Sequence, residues 1–163
     1  MTAIVYDTDT LDPLLAALLE ATGDMTEFMQ DAGELLLSAT KDRVLAGEQP
    51  DGAQFAPRSP ATLTRYAKLG LSFGAPLNVS GNMRQNLHYE AGTDSVEFGS
   101  NAIQSAVMQF GASKGEFGQA ANGSSLPWGD IPARPFVGIS DEDQSNLALE
   151  LEEHLERIAQ SRG

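Results

Sequence analysis

The chain has 163 residues, of which 41% are apolar, and its 23 acidic residues against 10 basic ones give a formal net charge of -13. Such a length supports one hydrophobic core, so we predict a single domain over residues 1–163. The excess of carboxylates disfavours DNA binding through a broad basic face. Because the sequence contains no cysteine, disulfides, thiolate metal sites and cysteine nucleophiles are excluded.

The start of the sequence does not read as a secretory signal. The first 40 residues contain neither lysine nor arginine, so the positively charged beginning of a secretory signal is absent. No apolar run approaches the roughly 18 residues that a membrane-spanning helix needs. We therefore expect a protein that is made in a cytoplasm, stays there, and does not contact a membrane.

Helical spacing dominates the first part of the chain. Leucines recur at intervals of three and four residues between Leu11 and Leu19. The same spacing resumes at Met25 and continues to Val44, after which the glycines and proline of GEQPDG (47–52) end it. The pattern predicts two N-terminal helices, one short and one long.

Shorter elements follow. The stretch SPATLTRYAKLG (59–70) predicts a helix with Ser59 as its N-cap, and residues 71–76 read as loop. The segments PLNVSG, NLHYEAG and SVEFGS then alternate apolar and polar residues between turn formers, which is typical of short strands. The last two predict a hairpin that turns at residues 92–94.

The middle of the chain contains a further short helix and a loop. In NAIQSAVMQFG (101–111), Ile103, Val107 and Phe110 share one predicted helix face. The next stretch, GASKGEFGQAANGSSLP (111–127), has four glycines and few large apolar side chains. Because such a segment buries little surface of its own, we predict a mobile glycine-rich loop at about 111–127.

The C-terminal part reads as a connector followed by a helix. Two prolines in DIPARPFVGIS (130–140) exclude a helix interior or a central strand. Ser140 and Asp143 then form a capping-box pattern, and an apolar stripe follows at Leu147, Leu151, Leu155 and Ile158. Together the elements predict an α+β fold with two N-terminal helices, a small, mainly antiparallel β-sheet and a C-terminal helix.

One pattern resembles a nucleophilic active site. GASKG (111–115) matches the G-x-S-x-G of a nucleophile elbow, and Asp141 or Asp143 followed by His154 reproduces the order serine, acid, histidine. An elbow requires a buried strand before the serine and a helix after it, whereas Ser113 is predicted to follow a helix and precede a loop. A serine hydrolase that uses Ser113 and His154 is therefore a remote alternative, and we predict no catalytic residue.

A second pattern resembles half of a metal site. Glu150 and His154 lie four residues apart, on one face of the predicted C-terminal helix. The sequence has only two histidines, and no second ligand pair is spaced to complete the coordination. We predict no metal site and no cofactor.

Carboxylates crowd the N-terminal region and the C-terminal helix. Solvated helix faces are the simplest interpretation of such charge runs. The alternative is a surface that faces DNA without binding it, because repulsion inside a conduit lets a polyanion slide. The candidate channel-facing acidic residues are Asp24, Glu27, Asp31 and Glu34.

Four motifs occur in order along nearly the whole chain: PDGAQFAPRSPATLTRYAK, LNVSGNMRQNLHYE, VEFGSNAIQSAVMQFG and IPARPFVGIS. In this combination the sequence resembles the virion morphogenesis, or tail-completion, family of tailed bacteriophages. That family includes the G-like proteins of phage Mu and the S-like proteins of phage P2. The resemblance covers roughly residues 10–158.

The resemblance implies a non-enzymatic structural protein of the virion neck or tail. A subunit of this kind makes tails competent to join filled heads, and related proteins form rings, commonly of six copies, around the DNA channel. The implied partners are copies of the chain itself, tail terminator or tail tube proteins, and head-closure or connector proteins, while DNA passes through without specific binding. The alternative within the same class is a tail terminator ring that caps growth of the tail tube.

A ring subunit needs a stiff edge that docks against a neighbour, and prolines reduce the entropy that such docking costs. Arginine and aromatic side chains are enriched among interface anchors. The candidate interface residues are Trp128, Arg134, Pro135 and Phe136. In the alternative, Phe136 fills the core of its own chain, Arg134 ties down the loop and Pro135 sets the entry to the helix.

Overall fold

The computed structural model describes residues 2–6 and 23–161, with side chains from residue 23 to residue 158. Within these ranges the chain forms an antiparallel sheet, one long and three short helices, and a long C-terminal helix, so the predicted α+β class is confirmed. The predicted helix at 11–19 lies outside the described residues. In chain order the elements are β1 (Thr2–Tyr6), α1 (Thr26–Ala46), α2 (Pro60–Lys68), α3 (Asn82–Gln85), β2 (Leu87–Ala91), β3 (Val96–Ser100), α4 (Ser105–Phe110) and α5 (Asp141–Ser161).

The sheet has three antiparallel strands in the order β1, β3, β2. Central strand β3 pairs Ser100 with Thr2 of β1 on one side and with Leu87 of β2 on the other. The predicted hairpin between β2 and β3 is confirmed, and its turn is closed by a hydrogen bond from the Gly92 N–H to the Ser95 carbonyl at 2.7 Å.

The prediction of a strand at PLNVSG is wrong. Leu77 has a positive φ of 69°, which an extended strand does not contain. The Asn78 N–H donates to the Ala75 carbonyl at 2.9 Å, and the Gly74 N–H donates to the Asn78 carbonyl at 3.0 Å. These bonds close a tight turn, so the alternating apolar residues of this segment do not belong to a strand.

Helix α1 is the long helix that the apolar spacing predicts, and it lies at the centre of the packing. It ends at Gly47, whose φ of 85° is left-handed and whose N–H donates to the Arg43 carbonyl at 2.8 Å. Its buried face contacts the sheet and helix α5. The buried core that results comprises Met25, Phe28, Met29, Ala32, Leu36, Val44, Phe55, Met83, Leu87, Val96, Phe98, Ala102, Phe136 and Val137.

Helix α1 approaches strand β2 most closely at Gly33. A Cβ atom at this position would lie 2.2 Å from Cδ2 of the Tyr89 ring and 2.7 Å from its Cγ. Real Cβ atoms do not approach other atoms so closely, so the tyrosine ring occupies the space that any larger side chain would need. Glycine at position 33 therefore sets the distance between the helix and the sheet.

Helix α5 begins with the predicted capping box. The Ser140 N–H donates to Oδ2 of Asp143 at 2.8 Å, and the Asp143 N–H donates to Oγ of Ser140 at 3.0 Å. The same Asp143 carboxylate receives a hydrogen bond from Nη1 of Arg43 on α1 at 2.7 Å. Arg43 also donates to the Gly138 carbonyl at 3.0 Å, so one arginine joins the end of α1 to the start of α5.

Two short helices differ in how well the sequence predicts them. Helix α2 begins as expected, since Oγ of Ser59 accepts the Thr62 N–H at 3.2 Å, but none of its residues is buried. Helix α4 is shorter than predicted, and Ile103 lies outside it as a residue that is 98% exposed. The buried residues of α4 are Ser105 and Gln109, so the predicted apolar face does not form part of the core.

The glycine-rich segment 111–127 forms an irregular, hydrogen-bonded hairpin. Ala112 and Ile131 exchange two backbone hydrogen bonds at 2.9 and 2.8 Å, and the Phe117 N–H donates to the Leu126 carbonyl at 2.8 Å. The predicted mobility of this segment, and the single domain over residues 1–163, stay predictions.

Candidate functional site

The segment 130–140 is extended and is held in place by a buried amide. Oε1 of Gln109 accepts the N–H groups of Phe136 and Val137 at 3.0 and 3.1 Å, and its Nε2 donates to the Val137 carbonyl at 3.0 Å. The Arg134 N–H donates to the Met108 carbonyl at 2.7 Å. The Gln109 side chain on α4 therefore supplies the hydrogen bonds to the backbone that a neighbouring strand would otherwise provide.

Arg134 points back into its own chain. The residue is buried, with only 7% of its surface exposed. Nε donates to the Ala56 carbonyl at 2.7 Å and Nη2 donates to the Pro57 carbonyl at 2.9 Å. Burial, and then the nearby charge of Arg58, lower the pKa of the Arg134 guanidinium. The arginine ties the segment that precedes α2 to the connector that precedes α5.

Phe136 is 1% exposed and belongs to the hydrophobic core. Pro135, which lies between Arg134 and Phe136, is half-buried. These contacts match the alternative in which Phe136 fills its own core and Arg134 ties down a loop. A contact of Arg134, Pro135 or Phe136 with a neighbouring subunit stays a prediction.

Trp128 is placed differently from Arg134 and Phe136. It is 72% exposed, and Phe117 and Leu126 of the same hairpin are also exposed. The Lys114 N–H donates to Oδ1 of Asp130 at 2.8 Å, which fixes the base of this hairpin. The structure therefore presents an aromatic side chain outward on a backbone with defined hydrogen bonds.

Three of the four candidate channel-facing carboxylates lie on one face of α1. Glu27, Asp31 and Glu34 are spaced by four and three residues, and Glu27 and Glu34 are exposed. Asp31 is half-buried and pairs with Nη2 of Arg157 at 3.3 Å, and Glu34 accepts a hydrogen bond from the Tyr89 hydroxyl at 3.4 Å. Desolvation, followed by the charge of Glu34, raises the pKa of that hydroxyl.

Asp24, the fourth candidate, precedes the helix and has a local structural role. Its Oδ1 accepts the Thr26 hydroxyl at 2.6 Å and the Thr26 N–H at 2.9 Å. These two hydrogen bonds, the side-chain bond first, lower the pKa of the Asp24 carboxyl. The contacts satisfy a free N–H at the start of α1, as a capping residue does. Whether any of the four residues lines a channel stays a prediction.

The structure does not bring the candidate nucleophile and base together. Ser113 is exposed after α4, and its N–H donates to the Glu116 carboxylate at 2.6 Å. His154 is buried on α5, where its ring lies 6.0 Å from that of Phe28. No hydrogen bond joins Ser113 to His154 in the part of the chain that the structure describes. The strand, serine and helix arrangement of a nucleophile elbow is therefore not present at residue 113.

The pair Glu150 and His154 is likewise engaged in contacts within the chain. Oε1 of Glu150 lies 3.7 Å from Nη2 of Arg157, and the same nitrogen lies 3.5 Å from Nδ1 of His154. Among residues 2–6 and 23–161, no group of three potential metal ligands is close enough to hold an ion. The Arg157 guanidinium therefore lies beside both members of this pair.

Sequence reasoning missed the surface that α2 and the following loop form, which we call the arm (residues 58–79). Inside the arm, Arg58 donates to the carbonyls of Gly74 and Ala75, and its guanidinium lies 4.8 Å from the centre of the Phe73 ring. The arm has exposed apolar side chains at Leu63, Leu69, Leu71, Phe73 and Val79. The sequence feature that could have indicated this surface is its charge, because no acidic residue occurs between Asp51 and Glu90.

No helix within residues 2–6 and 23–161 combines the length and the apolar content that crossing a membrane requires.

Comparison with known proteins identifies one family. The model of the phage virion morphogenesis family matches residues 6–156 of this chain. No curated protein and no solved structure matches it. Because the family match spans most of the sequence, the chain belongs to the phage virion morphogenesis family. The resemblance described from the four motifs is thereby confirmed, and membership associates the chain with the phage particle and with a role in its morphogenesis.

Proposed function

We propose that this chain is a tail-completion, or neck, subunit that forms a ring around the DNA channel and enables filled heads to join tails. Family membership supports a structural role in morphogenesis. The observation that carries the finer proposal is that large apolar side chains are exposed on two peripheral features, the arm and the hairpin that leads to Trp128. Exposed apolar patches on a protein with an ordinary core mark contacts with partners, and a ring subunit has neighbours on two sides.

The charge of the chain supports the channel part of the proposal. Glu27 and Glu34 are exposed on one face of α1, and Asp31 lies between them. A surface of this sign repels DNA phosphates, so DNA that passes it is not retained. A non-enzymatic role agrees with the separation of Ser113 from His154.

Trp128 is our candidate contact with a different component of the neck or tail, such as a tail tube or connector protein. An exposed tryptophan on a defined backbone loses little conformational entropy when it docks. We expect Trp128→Ala to leave the thermal midpoint of the isolated chain within about 2 °C, because an exposed side chain contributes little to folding. The same variant should reduce the yield of joined particles in a head-to-tail joining assay, with Phe110→Ala, which removes an exposed aromatic outside the hairpin, as the control.

The experiment that tests the function is electron microscopy of lysates from phage that lack this protein. The proposal predicts filled heads and tails of normal length that remain separate, and purified protein should restore joining when it is added. Tails of excessive length would favour the alternative of a tail terminator. Joined, infectious particles in the absence of the protein would contradict both assignments.

A further inference from the structure

The arm is a helix and loop whose outer side is not covered by any other part of the described chain, residues 2–6 and 23–161. None of the residues of α2 is buried, although the helix is strongly amphipathic in sequence. Leu69 is 60% exposed, and Leu63, Leu71, Phe73 and Val79 are exposed at 39 to 45%. Exposed apolar groups in one contiguous segment favour a protein partner, because contact with water leaves them unfavourably hydrated.

The arm also differs from the rest of the molecule in charge. The stretch between Asp51 and Glu90 contains the basic residues Arg58, Arg65, Lys68 and Arg84 and no acidic residue, within a chain whose net charge is -13. Arg58 is used inside the arm, where its contacts with the 74–75 carbonyls hold the loop against α2. Arg65 and Lys68 are exposed, so they are free to meet carboxylates of a partner.

A complementary surface exists elsewhere on the same chain. A cleft of about 870 Å³ lies between α1, the turn at 48–52 and the first turn of α5, and no residue of the arm lines it. We call it the acidic cleft. It is lined by apolar atoms of Leu35, Ala39 and Ile139, by the carboxylates of Asp42, Glu48, Asp51, Asp141 and Glu142, and by the Arg43–Asp143 ion pair.

We propose that the arm of one copy docks in the acidic cleft of a second copy. The inference rests on the proposed ring, and it assigns the two surfaces that meet. The match is one of charge and of apolar surface, since a segment with exposed apolar and basic side chains would meet a cleft whose lining is apolar and mostly acidic. A contact between two different surfaces of identical subunits is heterologous, and such contacts generate rings when the rotation between copies closes.

DNA is a weaker candidate for the same surface. A polyanion would pair with Arg65 and Lys68, but it would leave the leucines and Phe73 of the arm in water. It would also leave Arg43 as the only basic residue among those that line the acidic cleft. The second copy accounts for the apolar and the charged features together.

The test is a charge exchange between the two surfaces, followed by measurement of the mass distribution by analytical ultracentrifugation. The arm variant combines Arg65→Glu with Lys68→Glu, and the cleft variant combines Asp42→Lys with Glu142→Lys. Each variant alone should weaken self-association by about tenfold or more, because attractive pairs become repulsive. The two variants mixed together, or joined in one chain, should recover most of the association. Raising the salt concentration should weaken the wild-type assembly.

The controls reverse the same charges elsewhere. Lys114→Glu changes an exposed basic residue outside the arm, and Glu152→Lys with Glu153→Lys changes two exposed carboxylates of α5 outside the cleft. Both controls should associate as the wild type does. As a second measurement, Leu69→Cys in the arm combined with Asp42→Cys in the cleft should form disulfides between copies, which the cysteine-free parent cannot do.

The outcomes separate this inference from the proposed function. Rings that persist in the arm and cleft variants, without cross-links between the two cysteines, would overturn the docking assignment and leave the ring proposal standing. A wild-type chain that stays monomeric, alone and with tail tubes, would overturn both. Loss of DNA binding in the arm variant, with an unchanged mass distribution, would assign the arm to a polyanion and overturn the inference.

Discussion

Replacing Arg134 by methionine tests the role of the segment between the two prolines. Methionine keeps much of the volume of the side chain and removes every donor. The guanidinium donates at 2.7 Å to the Ala56 carbonyl and at 2.9 Å to the Pro57 carbonyl, and a third contact to the Pro132 carbonyl at 3.5 Å is at the limit of a hydrogen bond. We count only the first two as significant.

The expected magnitude follows from these two bonds. Hydrogen bonds to a charged group contribute about 1.5 to 3 kcal/mol each, but desolvation of the guanidinium offsets part of that gain. The accepting residues are not buried, since Ala56 is half-buried and Pro57 is exposed, so water replaces part of the lost bonding. We therefore predict a loss of about 2 to 3 kcal/mol of unfolding free energy, or about 4 to 12 °C in melting temperature for a domain of this size.

The assay is thermal and urea unfolding of the chain at concentrations where it does not self-associate, monitored by circular dichroism. Arg65→Met is the matched control, because it removes the same charge from an exposed position on α2, and it should change stability by less than about 0.5 kcal/mol. Arg134→Lys keeps the charge with a different donor geometry and should lie between wild type and Arg134→Met. An Arg134→Met chain as stable as the control, with assembly lost, would refute the intrachain role and favour the interface hypothesis.

Three further predictions follow from the packing and the charge. Gly33→Ala should lower the unfolding free energy by about 1 to 3 kcal/mol despite the higher helix propensity of alanine, because the added methyl overlaps the Tyr89 ring. Adding Tyr89→Val should recover part of that loss, whereas free-energy changes that simply add in the double variant would argue against the overlap. Gln109→Leu should cost about 2 to 4 kcal/mol by urea unfolding, because two buried N–H groups lose their acceptor, and a cost under about 1 kcal/mol would show that water replaces the amide. Glu27→Lys with Glu34→Lys should leave rings formed but slow DNA ejection in a dye-release assay, whereas normal ejection would assign these carboxylates to a solvated face.

The sequence predicts the elements that depend on local pattern. The apolar spacing from Met25 to Val44 fixes the face that α1 buries, and the alternation around residues 92–95 fixes the β2–β3 hairpin. The capping box at Ser140 and Asp143 places the start of α5. In these cases the contacts that determine the element lie within a few residues along the chain, or follow from the spacing of apolar residues and from the residues that turns prefer.

The features that the sequence does not predict depend on contacts between distant residues. Gln109 binds the backbone 27 and 28 residues further along, and Arg43 meets Asp143 100 residues away. Nothing in the local pattern distinguishes these side chains from solvent-exposed ones. Arg134 shows the same limitation, because an arginine between prolines suits a subunit interface as well as a buried contact within the chain. Only the position of the Ala56 and Pro57 carbonyls decides where its side chain points.

Native mass spectrometry of the purified chain, alone and mixed with tail tubes, tests the central claim most directly. A ring subunit of the neck or tail predicts one discrete closed species, with six copies as the number that the family resemblance implies, formed either freely or on the tube end. The species should dissociate as salt is raised, if the arm and the acidic cleft form its contacts. A chain that remains monomeric at every concentration, and that does not bind tail tubes, would contradict the account.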